Sequence, residues 1–124
     1  MDYGKTQNQG NDVKIDINSV FNQNLKNESG YCYLPGGLIL QWGVNYSAGI
    51  TVQQYSKTIP FPIAFPNECL NVQVSINDVG YGIGALTTGV GMTSRTKTNF
   101  VATFKDTRSS LNYNVYLFWF AIGY

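Results

Sequence analysis

Between Leu70 and Ile76 the chain alternates without a break, with Leu70, Val72, Val74 and Ile76 set against Asn71, Gln73 and Ser75. A period of two marks a strand with one face on a core. Phe100, Ala102 and Phe104 repeat the pattern, and residues 49–55 alternate more loosely around Ile50 and Val52. Leu38, Leu40, Trp42 and Val44 share one parity, with Gln41 and Gly43 on the other. Tyr113 to Ile122 is apolar on both parities, as expected of a strand covered on both faces, by a second layer or by another subunit. Short strands divided by turn signals, with no convincing long helix, predict an all-β antiparallel sandwich.

Prolines and glycines punctuate that pattern. Pro60, Pro62 and Pro66 cannot donate to a ladder, so residues 58–66 read as an edge or crossing segment. Phe61, Ile63 and Phe65 would share a face there and pin the segment into the core, and Pro66-Asn67 turns it into the next strand. Gly80, Gly82, Gly84, Gly89 and Gly91 predict close backbone approach between strands or subunits. Gly80 to Ala85 has the outline of a dinucleotide fingerprint, but no helix pattern follows it, which excludes that reading.

The first thirty residues differ from the rest. Residues 3–11 are polar and irregular, Val13, Ile15 and Ile17 alternate like a short strand, and residues 19–26 allow at most a helical turn. Residues 1–30 therefore read as an arm or shaft connector, and 31–124 as the folded domain.

With 124 residues the chain has the length of one domain, and at a formal net charge of +1 it carries no footprint for nucleic acid. No run of eighteen apolar residues and no apolar leader is present, which predicts a soluble chain. Only 12% of residues are charged, against about 25% in an ordinary domain. Asn, Gln, Ser and Thr number 38 and supply the polarity instead. A surface of neutral hydrogen-bonding groups and rings suits sugars, and it also suits a rigid β-fibre that stays soluble with few charges.

Catalysis finds little footing. With no histidine there is no Ser-His or Cys-His dyad, and Cys32 and Cys69 stand far apart as packing thiols. Between residues 31 and 124 the acids are Glu68, Asp78 and Asp106. Asp78 and Asp106 form the one carboxylate pair to consider, and both sit in loop-like stretches where acids face solvent. No catalytic residue, metal site or cofactor is expected.

Binding is better provided for. Rings and polar groups gather in Asn45-Tyr46-Ser47, Gln53-Gln54-Tyr55, residues 77–81, 93–99 and 106–113. From these stretches Tyr46, Tyr55, Asn77, Tyr81, Arg95, Lys97, Arg108 and Asn112 are the candidate ligand-binding residues. Trp42 and Trp119 read as core.

Three ordered strings carry a resemblance. They are Leu34-Pro35-Gly36-Gly37-Leu38-Ile39-Leu40-Gln41-Trp42-Gly43, then Pro62-Ile63-Ala64-Phe65-Pro66-Asn67, and last Phe118-Trp119-Phe120-Ala121-Ile122-Gly123-Tyr124. In this order the chain resembles the C-terminal domain of bacteriophage and prophage tail-fibre proteins, from Gly30 to Tyr124. The resemblance implies a parallel homotrimer joined to an upstream fibre shaft, helped by a tail-fibre assembly chaperone and made in the bacterial cytoplasm, where thiols stay reduced. It also implies a place on a virion or a phage-tail-like particle, and recognition of a bacterial surface glycan such as lipopolysaccharide. The alternative is a cap that trimerises and seals the fibre end without touching a receptor. The strings themselves read as structural, and the candidate residues lie between them.

Overall fold

The computed structural model describes residues 25–78, 88–106 and 112–124. The stretch 1–24, with its strand-like and helix-compatible patterns, lies outside the described residues, as do Tyr81 and Arg108. Seven strands follow in order: β1 (Gly30–Tyr33), β2 (Ile39–Ile50), β3 (Gln54–Pro60), β4 (Cys69–Asp78), β5 (Thr88–Arg95), β6 (Asn99–Asp106) and β7 (Tyr113–Gly123). They form two antiparallel sheets, β1-β2-β7-β4 and β3-β6-β5. The domain is an all-β sandwich.

The core lies between the sheets. Phe100, Ala102 and Phe104 of β6 face Val115, Leu117, Trp119 and Ala121 of β7, and Phe61 and Phe65 close one end. Phe61, Phe100 and Trp119 pack ring against ring at centroid distances of 5.2–5.7 Å. Burying aromatic rings of this size contributes most of what such a small layered core can gain. As the prolines require, residues 61–68 form a corner between the sheets, with Phe61 and Phe65 buried and Ile63 packed against them.

The register sets two ends. The β1–β2 turn, the 61–68 corner, the β5–β6 hairpin and Tyr124 share one, here called the corner end. The connections after β2, β4 and β6 leave from the other, the loop end.

Four expectations are corrected. In β2 the inward parity is Ile39, Gln41 and Gly43, while Trp42 is half-buried on the opposite, outer face, so it is not a core residue. Both parities of that strand are apolar, and the polarity of Gln41 misdirects the choice. Leu70 is exposed because a bulge between Cys69 and Asn71 shifts the alternation by one residue, whereas Val72 faces the core. Asp106 ends β6 fully buried, not in a solvent-facing loop, and its N–H donates to the Gln53 carbonyl. Among the described residues a Cβ at Gly89 or Gly91 would meet open space, so neither marks a close approach between the described strands, and Gly80, Gly82 and Gly84 lie outside the described residues.

Candidate functional site

The three strings of the sequence clasp one another. The Gln41 side chain is fully buried and pairs with the backbone of the corner: its Nε2 donates to the Ile63 carbonyl at 2.9 Å, and the Ile63 N–H donates to its Oε1 at 3.0 Å. One side-chain amide thus satisfies two groups that would be costly to bury unpaired. Gly43 leaves room for Trp119, since a Cβ there would lie 2.5 Å from the indole, whose Nε1 donates to Asn45 Oδ1 at 2.9 Å. Gly123 admits Phe65, whose ring would be 2.6 Å from a Cβ at that position. The Tyr124 N–H donates to the Glu68 carbonyl, and the N–H groups of Asn67 and Glu68 both donate to the Tyr124 carbonyl. The inward residues of the strings are spent on each other and hold the scaffold, while Trp42, Phe118 and Phe120 of the same strings face outward.

The candidate residues fall into two groups at opposite ends. Tyr46, Tyr55, Asn77 and Asn112 are at the loop end, where Tyr46 lies inside β2 and Tyr55 inside β3, not in loops. A polar cleft of about 410 Å³ there is lined by Tyr46, Ser47, Tyr55 and Lys57 among others. The two tyrosine rings do not form one platform. Tyr46 packs on Tyr116 at 4.7 Å on the outer face of β2 and β7, whereas Tyr55 stacks on the core residue Phe104 at 6.0 Å. Lys57 was not foreseen, because a lysine inside a regular strand reads as a solvent-facing charge. It is half-buried, and its ammonium donates to the Tyr46 carbonyl at 3.1 Å and to Ser47 Oγ at 3.3 Å.

Arg95 and Lys97 are at the corner end, on the rim of a polar cleft of about 440 Å³. Arg95 ends β5 opposite Phe100, on the inward parity, and its Nε donates across the sandwich to the Cys69 carbonyl at 2.8 Å. Burial pushes the Cys69 thiol above its ordinary range, and the nearby guanidinium pulls it part of the way back. Cys32 and Cys69 are both free thiols.

A third feature was missed. On the outer face of the β1-β2-β7-β4 sheet, Trp42 stands opposite Phe120, Val44 opposite Phe118 and Tyr46 opposite Tyr116. Phe120 is 53% exposed, Phe118 41% and Tyr116 36%. An apolar groove of about 310 Å³ runs between Trp42, Val44, Phe118 and Phe120, with Glu28 and Gln73 at its margin. The Trp42 indole N–H donates to the Asn27 carbonyl at 3.0 Å, so residues just before β1 lie against this face. The even parity of 113–122 announced these rings; only their side of the sheet was unreadable.

The chain belongs to the gp53-like tail fiber protein C-terminal family, whose model matches residues 33–124. It is 37% identical over 107 residues to the uncharacterized protein MJ0347 of Methanocaldococcus jannaschii, covering 82% of this chain and 67% of that one. It is 32% identical to StfP of Escherichia coli K12, covering 77% of this chain and 46% of that protein. Among solved structures, the R1 pyocin fiber of Pseudomonas aeruginosa superposes with a TM-score of 0.71 at 29% identity, over 81% of this chain and 27% of that chain. An N-truncated R1-type pyocin tail fiber gives 0.67 at 29% identity, over 81% and 83%. The protein is a tail-fibre domain of the phage and pyocin type.

Proposed function

We propose that this domain is the receptor-recognising tip of a phage or phage-tail-like fibre, and that it binds a bacterial surface glycan without cleaving it. The observation that carries the reading is the clasp. Inward residues of the three family strings are used on one another, while rings, amides and cations between the strings remain on a rigid frame, which is how recognition surfaces are built. The domain works as a homotrimer on an upstream shaft, reached after synthesis in the host cytoplasm with a fibre-assembly chaperone. The ring-covered face supports that assembly. Its four exposed rings leave roughly 300–400 Å² of apolar surface, as much as the largest patch on a typical monomer, before half-buried Trp42 and Val44 are added. Weak single contacts would gain from three copies per fibre and several fibres per particle. No nucleic acid, metal or cofactor enters this reading.

The purified protein should stain host cells and compete with particle adsorption. Alanine at Tyr46, Tyr55, Asn77, Tyr81, Arg95, Lys97, Arg108 and Asn112, one at a time, should reduce adsorption for at least one residue while the fold survives. Unchanged adsorption across all eight would leave the sealing cap as the better account, since the apolar face serves that role equally well.

A further inference from the structure

We infer that the corner-end cleft, between the start of β4 and the β5–β6 hairpin, is a subsite for an acidic saccharide, read by Arg95 and Lys97. The inference rests on the recognition reading above and names the chemistry of one part of its ligand. The cleft, about 440 Å³, is at the scale of small-ligand sites and is lined by Asn67, Glu68, Cys69, Ser94, Arg95, Thr96 and Lys97.

Its cations are held but not neutralised. The Arg95 Nε is spent on the Cys69 carbonyl, which fixes the plane of the guanidinium and leaves its terminal NH2 groups with no partner among the described residues. A guanidinium so oriented presents a fork matched to a carboxylate or a phosphate. Lys97 projects from a hairpin whose backbone is held at several points. Its carbonyl accepts from the Phe65 N–H at 2.8 Å, the Thr98 carbonyl accepts from the Phe61 N–H at 2.9 Å, and Thr96 Oγ1 accepts from the N–H groups of Thr98 and Asn99. Binding there would order little new backbone, so little affinity is lost to entropy.

Glu68 lines the same cleft and forms no ion pair with either cation among the described residues. Its carboxylate would repel a bare anion yet accept hydrogen bonds from sugar hydroxyls. The mixed wall therefore favours a ring that carries both an acid group and free hydroxyls over inorganic phosphate.

The test is titration of the intact protein, followed by NMR or calorimetry, with galacturonate, glucose 6-phosphate, galactose and inorganic phosphate. At least one acidic sugar should bind, and galactose and inorganic phosphate should bind at least tenfold more weakly. The two acidic arms tell carboxylate from phosphate recognition. Lys97→Gln and Arg95→Gln should each weaken binding at least fivefold, and Lys105→Gln, on β6 near the loop end, should not. If Arg95→Gln fails to fold, Lys97→Gln carries the test, because the Lys97 side chain makes no hydrogen bond or ion pair within the described fold. No binding of either acidic sugar at tens of millimolar, equal binding of galactose, or full binding by the Lys97 variant would overturn the subsite. Cell adsorption separates the two ideas. Host binding that both variants retain removes the subsite and leaves recognition standing. Acidic-sugar binding through Lys97 by a protein that adsorbs to no cell does the reverse.

Discussion

The two outer faces of the sandwich are built from different chemistry. Over the β3-β6-β5 sheet the outward row is hydroxylic: Ser56 and Thr103 share a hydrogen bond of 2.8 Å, Thr93 and Thr103 one of 3.3 Å, and Thr58 lies exposed beside them. Over the β1-β2-β7-β4 sheet the outward row is Trp42, Val44, Tyr46, Tyr116, Phe118 and Phe120. Both sheets bury their inner faces on one core, so the contrast has nothing to do with folding a single copy. Hydroxyl rows tolerate water, whereas ring rows leave apolar area that the described residues do not cover. The difference marks the second face, and not the first, as the candidate surface for the proposed contact between copies.

Substitutions along β7 and around it test this division. The largest effect belongs to the inner row. Trp119→Ala should cost about 3–5 kcal/mol per subunit in denaturant melts, and Trp42→Ala, on the outer row, clearly less in a dissociated subunit. Equal losses would dissolve the distinction between the rows. Gln41→Leu follows at about 1–3 kcal/mol, because it strands the part-buried N–H and carbonyl of Ile63. Phe118→Ser with Phe120→Ser should leave each subunit folded and weaken association by about 2 kcal/mol or more per ring. A double variant that sediments like the parent would remove this face from the assembly.

A smaller effect is set by pH. Burial raises the Cys69 thiol in the folded state. Its contribution is therefore complete below the ordinary thiol range and is lost as pH rises through the raised value. Cys69→Ala should flatten the alkaline limb of the stability curve. Smallest is Thr103→Val on the hydroxyl face, expected within about 0.5 kcal/mol; a larger loss would mean that face is also covered by a partner.

Much of this was readable in the residues. Alternation at 100–104 and the anchors Phe61 and Phe65 translate directly into core strand and pinned corner, whereas the doubly apolar 113–122 buries one parity and leaves Tyr116, Phe118 and Phe120 exposed on the other. What failed has identifiable causes. β2 is apolar on both parities, and its inner row contains a glutamine that is affordable only because Ile63, twenty-two residues on, offers a backbone amide in the right place. A bulge reversed Leu70, and local sequence carries no count of such insertions. For the candidate site, composition supplied only residue types. It had no access to register, which sends Tyr46 and Tyr55 to different faces and Arg95 and Lys97 to the far end.

β7 hydrogen-bonds to β2 on one side and to β4 on the other, and it follows every other strand in the chain. Ile39 therefore waits for Gly123, and the edges of β2 and β4 stay open until almost the whole domain has left the ribosome. Contacts so distant in sequence close slowly, and open apolar edges invite pairing with other nascent chains. A chain truncated before Tyr113 would lack the centre of its sheet, so it could not fold into a slightly smaller version of the same domain. Damage to the last eleven residues of the sheet acts on the whole domain at once, and the cell receives either a complete domain or none.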